Sequence, residues 1–462
     1  MNRLAALPEM MQELLRDMGV LRSVDRHGVN WAGRAVTVIG LGRSGAAACR
    51  LLVQLGCRVT ATEAHDSEAL RSVAHQLEAE GAQRIELGRH SREGFEGCDT
   101  VVVSPGVPES SDPVRWANEL GVPIMSEIEL AFRFCPCPVV AVTGTNGKSS
   151  VVTMIQRVLQ AAGRRAIACG NLGTPFSSIV EQLSAEMTVV VEVSSFQLLG
   201  CTQFRPAVAV LLNLGTNHLD RHADHEHYAA AKARLFARQT PEDYAVLNAR
   251  DAAVMALSRS IRARHVWFGA PGGPAPAYAL SPATCARLSE NAQAVLQVGR
   301  VLGIPDPLTY QVIREFRGLE HRLEDLGRIR GVRVVNDSKS TTPESLLHAL
   351  TWCPGPVVAI LGGRDKGLDF SALPPALADP RIRGVVLIGE SRVKLRALLR
   401  GETPVRECSS LEDAMDAALA FSRPGDTVLF SPACASFDMF RDFEDRGAQF
   451  KRLVRRLQGA GQ

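Results

Sequence analysis

The chain has 462 residues, 46% hydrophobic and 22% charged, with Lys+Arg 52 against Asp+Glu 49 and a formal net charge of +3. At roughly 150 residues per domain, that length suggests about three domains, and the composition excludes a disordered chain, a coiled-coil rod and a collagen-like fibre. The balanced charge argues against a general polyanion binder. The one basic cluster, Lys451 to Arg456, reads as the solvated face of a helix.

The 11 cysteines are scattered, with only Cys135 and Cys137 close in sequence. Without a CxxC pair a structural zinc site is not expected, and the pattern fits the reduced thiols of a cytosolic protein. The first residues carry acids and a proline instead of a signal-peptide core. The longest apolar runs fall well short of the roughly 18 residues of a membrane span. A soluble, multidomain, cytoplasmic protein without a membrane span is therefore expected.

Short β-branched runs alternate with amphipathic stretches, the mark of parallel α/β sheets. Residues 36–40 (VTVIG) form a strand feeding a Gly-rich turn, then a helical pattern through Leu51, Leu52 and Leu55. Strands 58–63 and 100–103 follow, the second ending in Ser104-Pro105-Gly106. The CPCP run at 135–138 reads as a linker, since its prolines cannot continue a helix. A second α/β unit opens at 139–143 and continues through strands at 188–193 and 207–212. The stretch 269–277 (GAPGGPAPA) is a surface connection, and 291–303 returns to a helical pattern. A third unit begins near Gly318, with strands at 332–335, 356–361, 384–388 and 426–430. Three consecutive domains result: 1–134 (with 1–33 an unassigned extension), 135–316 and 317–462.

The strongest motif is a hydrophobic strand running into Gly144-Thr145-Asn146-Gly147-Lys148-Ser149-Ser150, then a helix marked by Val151, Met154, Ile155, Val158 and Leu159. Glycines let backbone N–H groups approach a polyphosphate, and the helix N-terminus adds partial positive charge. Lys148 adds a full charge, while the Ser149 hydroxyl can reach Mg²⁺. The spacing is shorter than GxxxxGK[ST], because position 142 is Val. Glu192 ends an apolar strand, where a carboxylate is costly unless it is paired or holds a metal. Gly40-Leu41-Gly42-Arg43-Ser44-Gly45, with Glu63 closing the next strand, matches a dinucleotide fingerprint, so a nicotinamide-dependent oxidoreductase is the runner-up reading. The histidines of 217–228 (NHLDRHADHEHY) include a pair four apart, His218 and His222, but no HExxH, which leaves a zinc hydrolase unsupported. Cys434 lacks a His/Asp partner by spacing and reads as structural.

TGTNGKS resembles the ATP loop of the Mur ligase family, shared with folylpolyglutamate synthetases. Gly170-Asn171-Leu172-Gly173, ESSFQL at 192–198, NHLDRH at 217–222, Tyr228 to Lys232, NDSK at 336–339 and SPACAS at 431–436 follow in the family's order. Together they look like the MurD type, which joins D-glutamate to UDP-N-acetylmuramoyl-L-alanine through an acyl phosphate in peptidoglycan synthesis. Related members add another amino acid. The resemblance implies an ADP-forming ligase using ATP and Mg²⁺, acting as a monomer on small molecules and not on nucleic acid. It implies an N-terminal Rossmann-like UDP-binding domain, a central P-loop ATPase-like domain and a C-terminal Rossmann-like amino-acid domain.

Residue by residue, the resemblance assigns Glu192, His218 and Ser149 to the metal, with Lys232 joining them as a carbamate. It places Lys148, Glu192, His218, Lys232 and Lys339 in the catalytic machinery. Gly42, Arg43 and Ser44 would face the UDP diphosphate, Glu63 the uridine, and Ser104 and Gly106 the same cleft. Asn171 and His218 would also meet this substrate. Asn291 stands at the adenine-contacting position, although the usual Gly-x-His-Asn before it is missing and Leu288 replaces a second asparagine. Arg322, in a GLEHR variant of the family's GLPHR, and Asp337 would contact ATP. Thr341, Lys366, Ser436, Phe437 and Phe443 match positions that hold glutamate, although SKSTTPES departs from the usual SKATN.

Overall fold

The computed structural model describes residues 23–459 apart from 172, 216–223, 270–288, 317, 354, 366–367, 400 and 402. Two compact units divide at Phe316/Arg317, and each is taken by itself below.

The first unit holds two parallel sheets. One comprises β1 (Ala35–Ile39), β2 (Arg58–Glu63), β3 (Arg84–Leu87), β4 (Thr100–Val103) and β5 (Ile124–Ser126), in the order β3-β2-β1-β4-β5. The other comprises β6 (Val139–Thr143), β7 (Ala166–Gly170), β8 (Thr188–Glu192), β9 (Val208–Leu211), β10 (Tyr244–Asn248) and β11 (Arg264–Phe268), in the order β11-β10-β9-β6-β8-β7. Every residue of β6 is buried, as expected of a central parallel strand covered on both faces. Its apolar run therefore shows no alternation. In each sheet the strand order reverses beside the strand that feeds a Gly-rich turn, β1 in one and β6 in the other. Ligands of open α/β sheets bind in the crevice at such a reversal, beyond the carboxyl ends of the strands.

One apolar cluster runs through both sheets, from Val36, Val38 and Val59 through Ile128, Leu130 and Phe132 to Val139, Ala141 and Val191. Helix Glu127–Phe134 is the joint. Its Glu129 Oε2 accepts hydrogen bonds from the backbone N–H groups of Thr202, Gln203 and Phe204 at 3.1, 3.0 and 2.9 Å. Glu127 Oε1 accepts from Ser177 N at 2.5 Å. Both carboxylates are shielded from water (1% and 0% exposed) and lie beyond the end of the first sheet.

The second unit has one sheet: β12 (Glu324–Ile329), β13 (Val332–Asn336), β14 (Val357–Gly362), β15 (Ile382–Ile388), β16 (Val405–Glu407) and β17 (Thr427–Phe430), ordered β12-β13-β17-β14-β15-β16. All neighbours are parallel except β12, which pairs antiparallel with β13 through a tight turn. Arg330 (φ 49°) and Gly331 (φ 82°) both take left-handed conformations there, as a two-residue hairpin requires. The sequence reading did not anticipate β12. Nor did it anticipate the other edge strands β3, β5, β7, β11 and β16, or β10.

The two faces of this sheet are covered by separate clusters, one around Val335, Ala359 and Leu361 and one around Val334, Val358 and Phe450. The basic run is partly enclosed, because Lys451 pairs with Glu320 at 2.7 Å and with Glu324 at 2.5 Å. Arg452, Arg455 and Arg456 remain exposed.

Candidate functional site

The loop after β6 is shaped for close approach. Gly147 takes φ +86° and caps helix Lys148–Ala161 with no side-chain hydrogen bond, which leaves the helix N-terminus available to an anion. Val151, Val152, Met154, Ile155, Val158 and Leu159 of that helix are all buried and fix it against the sheet. Gly144 (φ +152°) packs on Leu212, and a Cβ there would lie 2.9 Å from the Leu212 Cβ.

Asn213, just past β9, holds the loop like a splint. Its Oδ1 accepts from Asn146 N at 2.8 Å, its Nδ2 donates to Asn146 O at 3.3 Å, and its own carbonyl accepts from Thr145 N at 3.0 Å. Thr145 Oγ1 lies 3.0 Å from the Tyr228 hydroxyl. A Cβ on Gly147 would come within 2.3 Å of Asn291 Oδ1, so Asn291 meets the loop itself.

Two lysines crowd this loop. Lys148 Nζ donates to the carbonyls of Gly144 and Thr145, both at 2.9 Å, and Lys232 Nζ donates to the same Gly144 carbonyl at 3.1 Å and to Thr143 Oγ1 at 3.3 Å. Lys232 is 1% exposed. Burial drives its pKa far below the ordinary lysine value; the Lys148 charge adds to this and Glu192 opposes it. The amine is thus held toward its neutral form.

Glu192, at the end of β8, is 2% exposed. Its Oε1 accepts from Asn171 Nδ2 at 2.8 Å, and its buried Oε2 has no hydrogen-bond partner. A buried carboxylate oxygen without a donor is costly, and a bound cation would resolve it. Among the described residues no group of three or more His, Cys, Asp or Glu side chains could hold a metal ion. His218, His222, Leu288 and all but the first residue of the 269–277 connection lie outside the described residues.

In the first sheet, Gly40 (φ +87°) turns the chain out of β1. A Cβ on Gly45 would stand 1.8 Å from the Gly40 carbonyl oxygen, so helix Arg43–Gln54 packs directly on the turn. Nothing lies within 4 Å of a Cβ on Gly42 or Gly106, and the helix has no side-chain cap. Ser104 Oγ donates to Gly40 O at 3.0 Å. Glu63 Oε2 accepts from Leu41 N at 2.9 Å and Oε1 from His65 N at 3.0 Å. Burial raises the Glu63 pKa, but these bonds outweigh it and hold the carboxyl below its ordinary value. Glu63 therefore braces the turn, with Arg43 and Ser44 on the first helical turn beside it.

In the second unit the candidate residues follow the carboxyl ends of β13, β14 and β17. Asp337 Oδ2 accepts from Ser431 Oγ at 2.8 Å and Oδ1 from Leu323 N at 3.1 Å; burial raises its pKa to about 6 against these bonds and the Arg322 charge. Lys339 Nζ lies 5.9 Å from the centroid of the Phe443 ring, and Ser338 Oγ donates to Phe443 O at 2.8 Å. Ser436 is buried, Phe437 is 53% exposed and Thr341 is half-buried. Lys366 lies outside the described residues. Cys434 is buried beside Ser391 Oγ at 3.3 Å, and burial pushes its thiol up to about 11, which suits packing and not nucleophilic attack.

Arg446, absent from the sequence reading, ties these loops together. It donates to Ser338 Oγ at 3.0 Å, Ser338 O at 2.7 Å and Cys434 O at 3.0 Å, and is 1% exposed. The signal was available, since Arg446 falls on the apolar stripe Phe443, Gly447, Phe450, Leu453, Val454 of its helix. Asn213 offered a weaker one, a polar residue closing an apolar strand.

Known proteins resemble this chain over most of its length. The Mur ligase MurD-like N-terminal domain matches residues 34–126, the Mur ligase middle domain 142–281, and the Mur ligase glutamate ligase domain 321–434. A UDP-N-acetylmuramoylalanine–D-glutamate ligase of Pelotomaculum thermopropionicum is 38% identical over 444 residues, covering 91% of this chain and 97% of the relative. One from Anaeromyxobacter dehalogenans is 40% identical over 454 residues, again covering 91% and 97%. This chain belongs to the Mur ligase family. The fold agrees with that of family members: a MurF ligase from Thermotoga maritima in complex with ADP superposes with a TM-score of 0.53 at 17% identity, covering 92% of this chain and 96% of that one. MurF from Acinetobacter baumannii gives 0.53 at 16% identity, covering 90% and 93%. The chain is thus an α/β ligase, and the nicotinamide reading of the Gly-rich turn finds no support among these relatives.

Proposed function

We propose that the chain joins D-glutamate to UDP-N-acetylmuramoyl-L-alanine, with ATP cleaved to ADP and phosphate. The observation that carries this reading is near-full-length similarity to D-glutamate ligases at 38 and 40% identity. The built phosphate loop on β6 supports it. The muramoyl-alanine carboxylate attacks the γ-phosphorus of ATP, the bond to ADP breaks, and an acyl phosphate forms. The glutamate amine then attacks that carbonyl, loses a proton and expels phosphate.

Bringing an anion to a polyphosphate is a like-charge problem, which positive charge at the site must offset. The loop backbone from Gly144 to Ser150, Lys148 and the uncapped helix end would hold the β- and γ-phosphates. Ser149 and Glu192 would hold Mg²⁺, the orphaned Glu192 oxygen being the fitting donor, with His218 by family resemblance. When bound, Mg²⁺ neutralises phosphate charge. Lys232, kept toward its neutral form, has a lone pair free to add to CO₂; the resulting carbamate would turn a repelled cation beside Lys148 into an attracted anion.

The N-terminal portion, 1–134, would take the UDP end through Gly42, Arg43, Ser44, Glu63, Ser104 and Gly106, with Asn171 and His218 also meeting the substrate. The central portion, 135–316, would take ATP, and 317–462 glutamate through Thr341, Lys366, Ser436, Phe437 and Phe443. Arg322, Asp337 and Lys339 would serve the nucleotide and its transferred phosphate, and Asn291 the purine end. Use of ATP and a UDP-linked substrate fits action in the cytoplasm, as a monomer; among the described residues no helix is long and apolar enough to cross a membrane. The test is phosphate release with UDP-N-acetylmuramoyl-L-alanine plus D-glutamate, L-glutamate or meso-diaminopimelate. Turnover with D-glutamate alone is expected. ATP cleavage indifferent to both substrates would refute the reading.

A further inference from the structure

At the opposite end of the central sheet, where β6 begins, the surface opens into a groove of about 620 Å³. A five-residue strand separates it from the nucleotide loop, roughly 15 Å. Its walls include Arg26, His27, Phe132, Pro136, Pro138, Arg205, Arg238 and Asp243. The three guanidinium groups are each anchored on one side. Arg26 lies with its Cζ 4.1 Å from the centroid of the Phe132 ring and donates through Nη2 to Cys135 O at 2.9 Å. Arg238 Nε donates to Thr202 O at 2.6 Å. Arg205 Nε donates to Asp243 Oδ2 at 2.8 Å and Nη2 to Thr240 Oγ1 at 2.7 Å.

Only Arg205 has carboxylate partners, Asp243 and, at 3.7 Å, Glu242. Arg26 and Arg238 form no ion pair among the described residues, so each keeps unspent N–H donors. Three guanidinium groups thus meet at a wall whose lining carboxylate, Asp243, is engaged by Arg205, and Arg26 and Arg238 are already held in place, which reduces the ordering cost of binding.

We propose that this groove is a second anion site, separate from the nucleotide loop, which takes the phosphoryl group of a small phosphate ester. Two unpaired guanidinium groups balance a dianion, and the arginine fork matches phosphate geometry. The groove is far larger than a bare phosphate, and Phe132, Pro136, Pro138, Val139 and Ala207 offer apolar wall for an organic body. Asp243 and Glu242, at the Arg205 end, work against an extended polyanion such as a nucleic acid. Because the wall joins the 23–31 segment, the 135–138 linker and the chain before β9 and β10, an anion there would bridge them and raise the melting temperature.

Phenyl phosphate is the probe, titrated into the full chain by differential scanning fluorimetry and calorimetry. Saturable binding with a raised Tm is expected in the wild type and in K148A, whose nucleotide loop is impaired. R26A/R238A should bind at least about tenfold more weakly, by loss of charge-assisted hydrogen bonds, while keeping its ligation rate at a temperature below its own ligand-free Tm. Should the double variant fold poorly, R238A alone should still weaken binding. Binding lost in K148A but kept in R26A/R238A would place the anion at the loop and overturn the proposal. So would the absence of saturable binding in the wild type, or equal binding of benzoate.

Discussion

Replacing Glu127 by glutamine should remove a loss of stability that the wild type suffers as pH rises towards neutrality. Glu127 is 1% exposed; Oε1 accepts from Ser177 N and Oε2 has no partner. Burial raises its pKa from 4.5 to about 7 against the bonds from Ser177 and Phe176. Below pH 4.5 the carboxyl is protonated whether the chain is folded or unfolded, so folding carries no ionisation cost. Above pH 7 it is ionised in both states, and the folded protein bears the full cost of the buried charge. Stability contributed by this group is therefore lost as pH rises from 4.5 to about 7. At 1.36 kcal/mol per pH unit the loss is about 3 kcal/mol. Cys169, the neighbouring thiol, is pushed far above its ordinary value by burial and by Glu127, and stays neutral throughout this range.

Glutamine keeps the acceptor for Ser177 N and removes the titration. Tm of E127Q relative to wild type, followed by tryptophan fluorescence between pH 5 and pH 8, should rise by about 5 °C, since about 2.5 kcal/mol of the loss falls in that window, at about 2 °C per kcal/mol for a unit of this size. A difference flat across that range would show that Glu127 does not ionise near neutrality. A difference falling with pH would mean that the buried charge is compensated.

Glu192→Gln should separate stability from function: replacing a buried carboxyl whose Oε2 has no hydrogen-bond partner leaves the ligand-free Tm unchanged or higher, while kcat falls by about 10² to 10³; a lowered Tm with unaltered kcat would contradict both halves. Gly147→Ala meets Asn291 Oδ1 at 2.3 Å and keeps a φ of +86° that costs a side chain about 1–2 kcal/mol. ATP KM should rise at least about tenfold, with N291A restoring only part of it; an unchanged KM would dissociate this glycine from the nucleotide. Lys232→Ala should abolish ligation, and formate or acetate should partly restore it by replacing the carbamate carboxylate. A variant that stays fully active, or is not rescued, would end the carbamate reading.

Most central strands were legible because apolar runs such as VVAVT and VVAIL stand between Gly-rich turns, although the interior strand β10, Tyr244–Asn248, was missed. The edge strands were not. Glu324–Ile329 (EDLGRI) has three charged residues and a glycine among six and is largely exposed, so its only signal was the Arg330-Gly331 turn. Motif residues at strand ends were legible as candidates for a physical reason, since ligands of open α/β sheets bind beyond the carboxyl ends of parallel strands. Asn213 and Glu127 were hidden, as their partners Asn146 and Ser177 lie 67 and 50 residues away. Sequence spacing marks a group that touches a ligand more readily than one that props the backbone behind it. Arg446 was the exception, visible as a charge on an apolar stripe.

The continuous apolar cluster through the first two sheets bears on how this chain can be cut. A nick in the exposed prolines at 136 and 138 would sever the connection yet release no fragment, because helix Glu127–Phe134 stays locked by Glu127 and Glu129. Two separately expressed pieces ending and starting there would each present a raw apolar face, and should be recoverable only when made together. Hydrogen exchange should open strands β1 to β11 as a single cooperative block, so that the two sheets melt as one object.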